Sequence, residues 1–208
     1  MITVVGNMKG GTGKSTITFN LAVWLTHQNK RIRLFDLDPQ QTLTDVLDVR
    51  QEEAHKPLLP TIENQAQLSH IKEDQNTDEI LIDVSMSNES ALKEALQLCD
   101  RILIPVAPSQ ADIWSIQRFI KMIHKTCTHQ PEIFALINRA ETHPETVETK
   151  ESEEALDFLP GMKRLRVRLH NRTAYRLSLS EGLGVFELNP RSKACKEIKK
   201  LTKKLYKK

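Results

Sequence analysis

Short apolar runs alternate with longer amphipathic stretches along most of the chain. The runs that predict strands are ITVV (2–5), RIRLFDLDP (31–39), DEILIDV (78–84), RILIPV (101–106), EIFALIN (132–138) and RLRVRL (164–169). The stretches whose apolar residues recur at helical spacing are 14–27, 90–99, 111–125 and 191–207. Apolar strands separated by helices indicate an α/β fold, with a mostly parallel, twisted sheet and helices on both of its faces.

Three further segments have weaker patterns. Residues 66–71 are amphipathic and precede the third strand. Residues 141–157 contain six Glu and one Asp, so a helix there would face mostly solvent. Residues 49–65 hold Pro57 and Pro60 outside any motif, and from their position we hypothesise that this segment forms part of a partner surface.

The net charge of +3 hides an uneven distribution along one domain, residues 1–208. Residues 1–160 carry 15 Lys and Arg against 24 Asp and Glu, whereas residues 161–208 carry 15 against 3. A basic last quarter therefore follows an acidic body, which indicates a polyanionic partner such as nucleic acid or anionic lipid. For the last 13 residues alone, a solvated lysine face on a final helix explains the charge equally well.

The composition argues against several classes of protein. No apolar run approaches the roughly 20 residues that a membrane span needs, and no secretory signal peptide precedes the first strand. The cysteines Cys99, Cys127 and Cys195 lie far apart without a CxxC pair, so neither a disulfide nor a metal role is supported. We therefore expect a cytoplasmic protein with no stable membrane insertion.

The glycine-rich loop GNMKGGTGKST (6–16) follows directly after the first apolar run and leads into the first helix. Backbone N–H groups of such a loop can surround a polyphosphate, and the helix N-terminus adds a favourable dipole. Gly13-Lys14-Ser15 matches the end of a P-loop, in which the lysine reaches the β- and γ-phosphates and the hydroxyl binds Mg²⁺. The usual first glycine of that motif is replaced by Met8, and a second lysine, Lys9, follows it.

Three aspartates lie at the ends of predicted strands. Asp83 ends the third strand, at the carboxyl edge of the sheet beside the glycine loop, where it can hold Mg²⁺ through water. A strand-terminal turn is the alternative role for Asp83. Asp36 and Asp38 end the second strand, and side chains two residues apart on an extended chain point to the same side. Capping a helix is a compatible second role for Asp38.

These motifs together resemble the ParA/MinD family of deviant Walker A ATPases. The loop KGGTGKST, with a lysine ahead of the glycines, matches that family's loop, DLDPQ (36–40) its second aspartate motif, and ILIDV (80–84) its Walker B strand. ILIPVAPSQAD (102–112), LINRAE (136–141) and residues 168–188 are also similar. The resemblance covers nearly the whole chain. It is closest to small ParA-type (ParF-like) partition ATPases without an N-terminal DNA-binding domain, because the first strand begins at residue 2.

The resemblance implies roles for individual residues. Lys14 would hold the phosphates of ATP in its own subunit, and Lys9 would reach the partner's phosphates across an ATP-sandwich dimer. Asp38 would position or polarise the attacking water, which completes a catalytic set of Lys9, Lys14 and Asp38. Asn138 would contact adenine, with a turn asparagine as the alternative. The residues expected at the nucleotide are Gly10, Gly11, Thr12, Gly13, Lys14, Ser15, Thr16, Asp36 and Asn138, and those expected at Mg²⁺ are Ser15 and Asp83.

The same resemblance implies a slow ATPase that segregates or positions a cargo. An ATP-bound homodimer would bind non-specific DNA and associate with the nucleoid until a ParB-like activator triggers hydrolysis. The DNA-binding residues expected are Arg172, Arg176, Lys199 and Lys203. Arginines of the sixth predicted strand, 164–169, are weaker candidates because alternate side chains of a strand point to opposite faces.

Two alternatives stay open on the sequence. A MinD-like membrane-associated ATPase would use the C-terminal helix, whose Ile198, Leu201 and Leu205 share one face among lysines. The same stripe would equally dock that helix on the sheet. A small-molecule enzyme of the dethiobiotin synthetase kind would have no use for Lys9 or for the basic last quarter.

Overall fold

The fold is built on one seven-stranded sheet. The structure, a computed structural model, describes residues 1–71, 76–143 and 146–206. The strands are β1 (Ile2–Asn7), β2 (Ile32–Asp36), β3 (Ile62–Glu63), β4 (Glu79–Ser85), β5 (Arg101–Val106), β6 (Glu132–Ala140) and β7 (Lys163–His170). All neighbouring pairs are parallel, in the order β3-β2-β4-β1-β5-β6-β7. The predicted α/β fold with a parallel sheet is confirmed.

Helices cover both faces of the sheet. They are α1 (Lys14–His27), α2 (Thr42–Glu52), α3 (Glu89–Leu98), α4 (Gln110–Thr126), α5 (Val147–Asp157), α6 (Thr173–Ser180), α7 (Val185–Leu188) and α8 (Lys193–Tyr206). Successive side chains of a strand point to opposite faces, so Val4 packs with α3, α4 and α5 while Val5 packs with α1 and α8. Each face therefore has its own apolar core.

The sequence missed β3 and α2, which lie next to each other in the chain. The buried residues of α2 are Leu43, Val46 and Arg50, so an arginine stands where the apolar stripe should continue. Arg50 is only 2% exposed and is held by Glu187 and by the carbonyls of Pro57 and Gly182. A buried, fully bonded arginine cannot be told from an exposed one by its spacing.

The other predicted elements are present with small shifts at their ends. The predicted amphipathic segment 66–71 forms a 3-10 helix over Gln65–His70 that buries Leu68. The predicted polar helix within 141–157 is α5, most of whose residues are exposed. The final helix ends at Tyr206, and residue 207, the last one predicted for it, lies outside the described residues.

The prediction that arginines of the last strand point to opposite faces was wrong. Arg164, Arg166 and Arg168 are two residues apart and therefore share one face of β7, while Leu165 and Val167 are buried on the other. Arg164 bonds to Asp157, and Arg168 bonds to Glu153 of α5. These two arginines hold α5 against the edge strand rather than standing free.

The apolar stripe of α8 faces the sheet. Ile198 and Leu201 are fully buried and Leu205 nearly so, in the same core as α1. The stripe thus docks the helix, which removes the observation that favoured a membrane-associated role. Among the described residues, no helix is both long and apolar enough to cross a membrane.

Candidate functional site

The glycine loop joins β1, at the centre of the sheet, to the N-terminus of α1. Gly11 and Gly13 have positive φ angles, of 69° and 90°, which only glycine adopts without strain. No side chain caps α1, and its first turn carries no acidic residue. The first backbone N–H groups of this 14-residue helix are therefore open to an anion.

Asn138, at the carboxyl end of β6, closes one side of the loop. Its Nδ2 donates to the carbonyl of Thr12 at 2.6 Å, within a buried contact. A Cβ atom added to Gly13 would lie 2.3 Å from the same Nδ2. Asn138 therefore does more than form a turn, because its side chain holds the glycine loop in place.

This contact leads to a testable difference between two loop glycines. Gly13→Ala should lower the free energy of unfolding of the nucleotide-free protein by about 1–2 kcal/mol, because alanine is strained at positive φ and displaces Asn138. Gly10→Ala is the matched control, since nothing lies within 4 Å of its added Cβ. Denaturant titration should place Gly10→Ala within about 0.5 kcal/mol of wild type. Equal losses in both variants would contradict the geometry.

Lys14 and Asp38 form a buried pair beside the loop. Lys14 is 5% exposed, and its Nζ lies 3.7 Å from Oδ2 of Asp38. Asp38 Oδ1 accepts from the backbone N–H of Gln40 at 3.1 Å, which makes a turn. Asp38 does not cap α2, since that helix begins after Gln41. A lysine and a carboxylate thus stand together where the phosphates of a nucleotide would lie.

Asp36 is held differently from Asp38. β2 ends at Asp36, so Asp38 lies beyond the strand, and the expectation that both side chains point to the same side of one extended chain does not apply. Asp36 Oδ2 accepts from both the backbone N–H and the hydroxyl of Thr44, each at 2.9 Å. Burial raises the pKa of Asp36, against the opposing effect of these bonds. Asp36 thus ties the start of α2 to the end of β2.

Asp83 fits a metal-binding role. It lies within β4, opposite Asp36 in register, and is fully buried. It is therefore not a strand-terminal turn residue. Neither of its carboxylate oxygens has a hydrogen-bond partner among the described residues. Burial raises its pKa to about 7, although the nearby Ser15 and Lys14 lower it. A buried carboxylate close to the Ser15 hydroxyl offers oxygen donors of the kind that a hard cation such as Mg²⁺ prefers.

A cavity of about 310 Å³ opens beside the loop, between α1, β6 and the start of α6. Its floor includes Gly13, Thr16 and Asn138, which the sequence assigned to the nucleotide. Leu169, Tyr175 and Leu179 also line it, and the sequence gave no signal for these three because they come from a distant part of the chain. The residues that line the cavity are Gly13, Thr16, Ile17, Asn138, Arg139, Leu169, His170, Asn171, Arg172, Tyr175, Arg176 and Leu179.

The four residues predicted to bind DNA fall into two separate places. Arg172 and Arg176 line the cavity beside the loop, and the Arg172 guanidinium is bonded to Glu197 at 2.7 Å. Lys199 and Lys203 are exposed on α8 instead. With Lys196 and Lys200 they form a lysine row along the groove between α8 and Trp24 of α1. Arg172 is thus the least accessible of the four.

Lys9 lies on the outside of the loop. Its Nζ contacts Oδ2 of Asp112, at the start of α4, at 2.7 Å. The Lys9 side chain is 41% exposed, whereas that of Asp112 is 7% exposed. The two lysines of the loop are therefore paired with different carboxylates on different elements, Lys14 inside the site and Lys9 at the surface.

Comparisons with known proteins agree with this geometry. The family model described as the CobQ/CobB/MinD/ParA nucleotide binding domain matches residues 3–185. The chain is 32% identical over 194 residues to the maintenance of carboxysome distribution protein A of Halothiobacillus neapolitanus, covering 91% of this chain and 88% of that protein.

Two solved structures share the fold. One is described as a plasmid partition protein of Borrelia burgdorferi bound to AMPPNP (TM-score 0.75, 20% identity, 98% of this chain and 97% of that one). The other is the septum site-determining protein MinD of Pyrococcus horikoshii with Mg-ADP (TM-score 0.74, 19% identity, 99% and 95%).

Proposed function

Because this chain belongs to the ParA/MinD family of nucleotide-binding ATPase domains, we propose that it hydrolyses ATP to partition or position a large cargo. In this proposal an ATP-bound homodimer binds non-specific DNA, and a partner protein on the cargo stimulates hydrolysis and release. The relatives named above concern carboxysome distribution and plasmid partition. We propose a cargo of the same kind, a protein organelle or a plasmid.

The observation that carries the proposal is that the two loop lysines lie in different environments, one buried and one at the surface. Lys14 is buried against Asp38, where it can bind phosphates in its own subunit. Lys9 projects at the surface and is paired with Asp112. A second positive charge at the surface of a phosphate loop can serve a nucleotide in another subunit, where it stabilises the charge that develops in phosphoryl transfer.

Each remaining part of the site supplies one element of the proposed reaction. The loop amides and the N-terminus of α1 would bind the phosphates, and the cavity lined by Tyr175 would take the base and sugar. Mg²⁺, when bound, would neutralise phosphate charge, held by the Ser15 hydroxyl and, through water, by Asp83. Asp38 would orient the attacking water from its fixed turn.

The exposed lysine row of α8 supports the DNA-binding part of the proposal. Lys199 and Lys203 are one turn apart and share a face of the helix, and Lys196 and Lys200 extend the row. A duplex contacts such a row through its phosphates, without reading base sequence. Because two copies of the row act together in a dimer, weak contacts by one subunit become effective.

The role of Lys9 can be tested through self-association. With Mg²⁺ and AMPPNP, wild type should be dimeric by light scattering after size exclusion, and Lys9→Ala should weaken that dimer at least about tenfold. Lys30→Ala is the matched control, because Lys30 is similarly exposed and pairs with Asp78. Dimerisation of Lys9→Ala with wild-type affinity, together with wild-type ATP turnover, would refute the role proposed for Lys9.

A further inference from the structure

A groove runs between α2 and the sheet edge formed by β3. It has a volume of about 470 Å³, and it lies on the opposite edge of the sheet from β7. Leu58 stands at its border and is 58% exposed, one of the most exposed large apolar side chains among the described residues. The lining residues used below are Thr44, Leu47, Asp48, Leu58, Leu59 and Ile62.

The charges around this groove are mostly negative. The structure describes all of segment 42–63, and the exposed charged residues of α2 are Asp45, Asp48 and Glu52, with Glu53 following directly. Arg50, the remaining charged residue of α2, is buried and turned toward Glu187. Lys56 is the only exposed basic residue in the segment. Of the charged residues that line the groove, Asp48 is exposed and Arg50 is buried. Asp48 and the acidic exposed residues beside it on α2 therefore form an acidic rim next to the apolar lining.

We propose that this groove is the docking site of a positively charged, amphipathic segment of a partner protein. Apolar side chains of the segment would bury Leu58 together with Leu47, Leu59 and Ile62, and its Lys or Arg side chains would meet Asp48 and its neighbours. Nucleic acid does not suit the groove, because phosphates would be repelled by the same rim. An exposed leucine beside a groove of this size also favours a side-chain anchor over a purely ionic contact.

Thr44 connects the groove to the candidate active site. Thr44 lines the groove, and its N–H and hydroxyl both bond to Asp36 at the end of β2. Asp38 lies in the loop between β2 and α2, so an occupant that shifts the start of α2 acts on the loop that holds Asp38. In this respect the inference deepens the proposed function and rests on it: the partner segment would be the stimulator of hydrolysis.

The docking itself can be tested with a synthetic probe. The probe is a short fluorescein-labelled peptide of leucine and lysine, and its binding is followed by fluorescence anisotropy at low salt. Leu58→Ser and Asp48→Lys should each weaken binding about tenfold. Val147→Ser and Glu151→Lys are the matched controls, because both residues are exposed on α5, and they should change binding by less than about twofold. A peptide of leucine and glutamate should not bind.

Three results would overturn the inference. Wild type failing to bind the leucine–lysine peptide would do so, as would equal affinity in all four variants. A change of oligomeric state in Leu58→Ser, seen by light scattering, would assign the groove to a second copy of the chain instead. ATP-dependent DNA binding is measured on the same preparation. If the protein binds DNA but not the peptide, only the docking site is refuted. If the peptide binds in the groove but the protein does not bind DNA, the proposed function is refuted and the docking site stands.

Discussion

Replacing Lys14 with alanine is expected to lower the rate of ATP hydrolysis by about 10²–10³, the usual cost of losing one fixed donor to a developing charge. Lys14 is buried, and its ammonium faces Asp38 at 3.7 Å. The change also leaves the carboxylate of Asp38 without its cation. We therefore expect ATP affinity to fall together with turnover.

The measurement is phosphate release at saturating Mg·ATP, combined with titration of a fluorescent ATP analogue. Lys121→Ala is the control, since Lys121 is exposed on α4 and its removal should change turnover by less than about twofold. Circular dichroism would establish that Lys14→Ala is folded. Turnover of folded Lys14→Ala within a factor of about three of wild type would show that the phosphates are bound elsewhere.

Arg50→Met is expected to have the largest effect on stability, lowering the free energy of unfolding by about 3–5 kcal/mol. The Arg50 guanidinium bonds to both carboxylate oxygens of Glu187 and to the carbonyls of Pro57 and Gly182. Methionine fills a similar volume but leaves the largely buried carboxylate of Glu187 and two carbonyls without this donor. The interaction joins the last turn of α2 to α7, so its loss also loosens the end of α2 beside the groove.

Urea denaturation of three variants separates this effect from a general loss of charge. Arg118→Met, at an exposed position of α4, should remain within about 0.5 kcal/mol of wild type. Arg50→Met/Glu187→Gln should recover part of the loss, because the unpaired carboxylate is removed as well. A cost below about 1 kcal/mol for Arg50→Met would mean that the buried pair contributes little beyond packing.

Most of the fold was predictable because its strands are buried on both sides. Runs such as RILIPV need no tertiary information, since a parallel strand covered by helices on both faces is apolar throughout. The loop with Lys9 and Lys14 was predictable for a different reason, because its glycines allow the positive φ angles that the loop needs locally. Asp83 followed from these two, since the carboxyl end of a parallel strand lies at the edge where the loop stands.

The parts that were missed depend on contacts between distant residues. α2 was not predicted, because Arg50 is buried through its pairing with Glu187, which lies far along the chain. Tyr175 and Leu169 meet Asn138 only once β6, β7 and α6 are in place. The sequence also gave no sign that Arg172 lines the cavity while Lys199 lies in the groove beside Trp24. Each of these features is set by tertiary packing, which a local sequence pattern does not contain.

Binding of wild type to a non-specific duplex tests whether nucleotide state controls DNA binding. The titration is made with Mg·ATP, with Mg·ADP and without nucleotide, each over a salt series. We expect binding with Mg·ATP alone. The logarithm of the binding constant should fall against the logarithm of the salt concentration with a slope of about −0.9 for each phosphate contacted. Equal binding in all three states would mean that the lysine row of α8 binds polyanions independently of nucleotide. Absence of binding in all three states would contradict the proposed control of DNA binding by ATP.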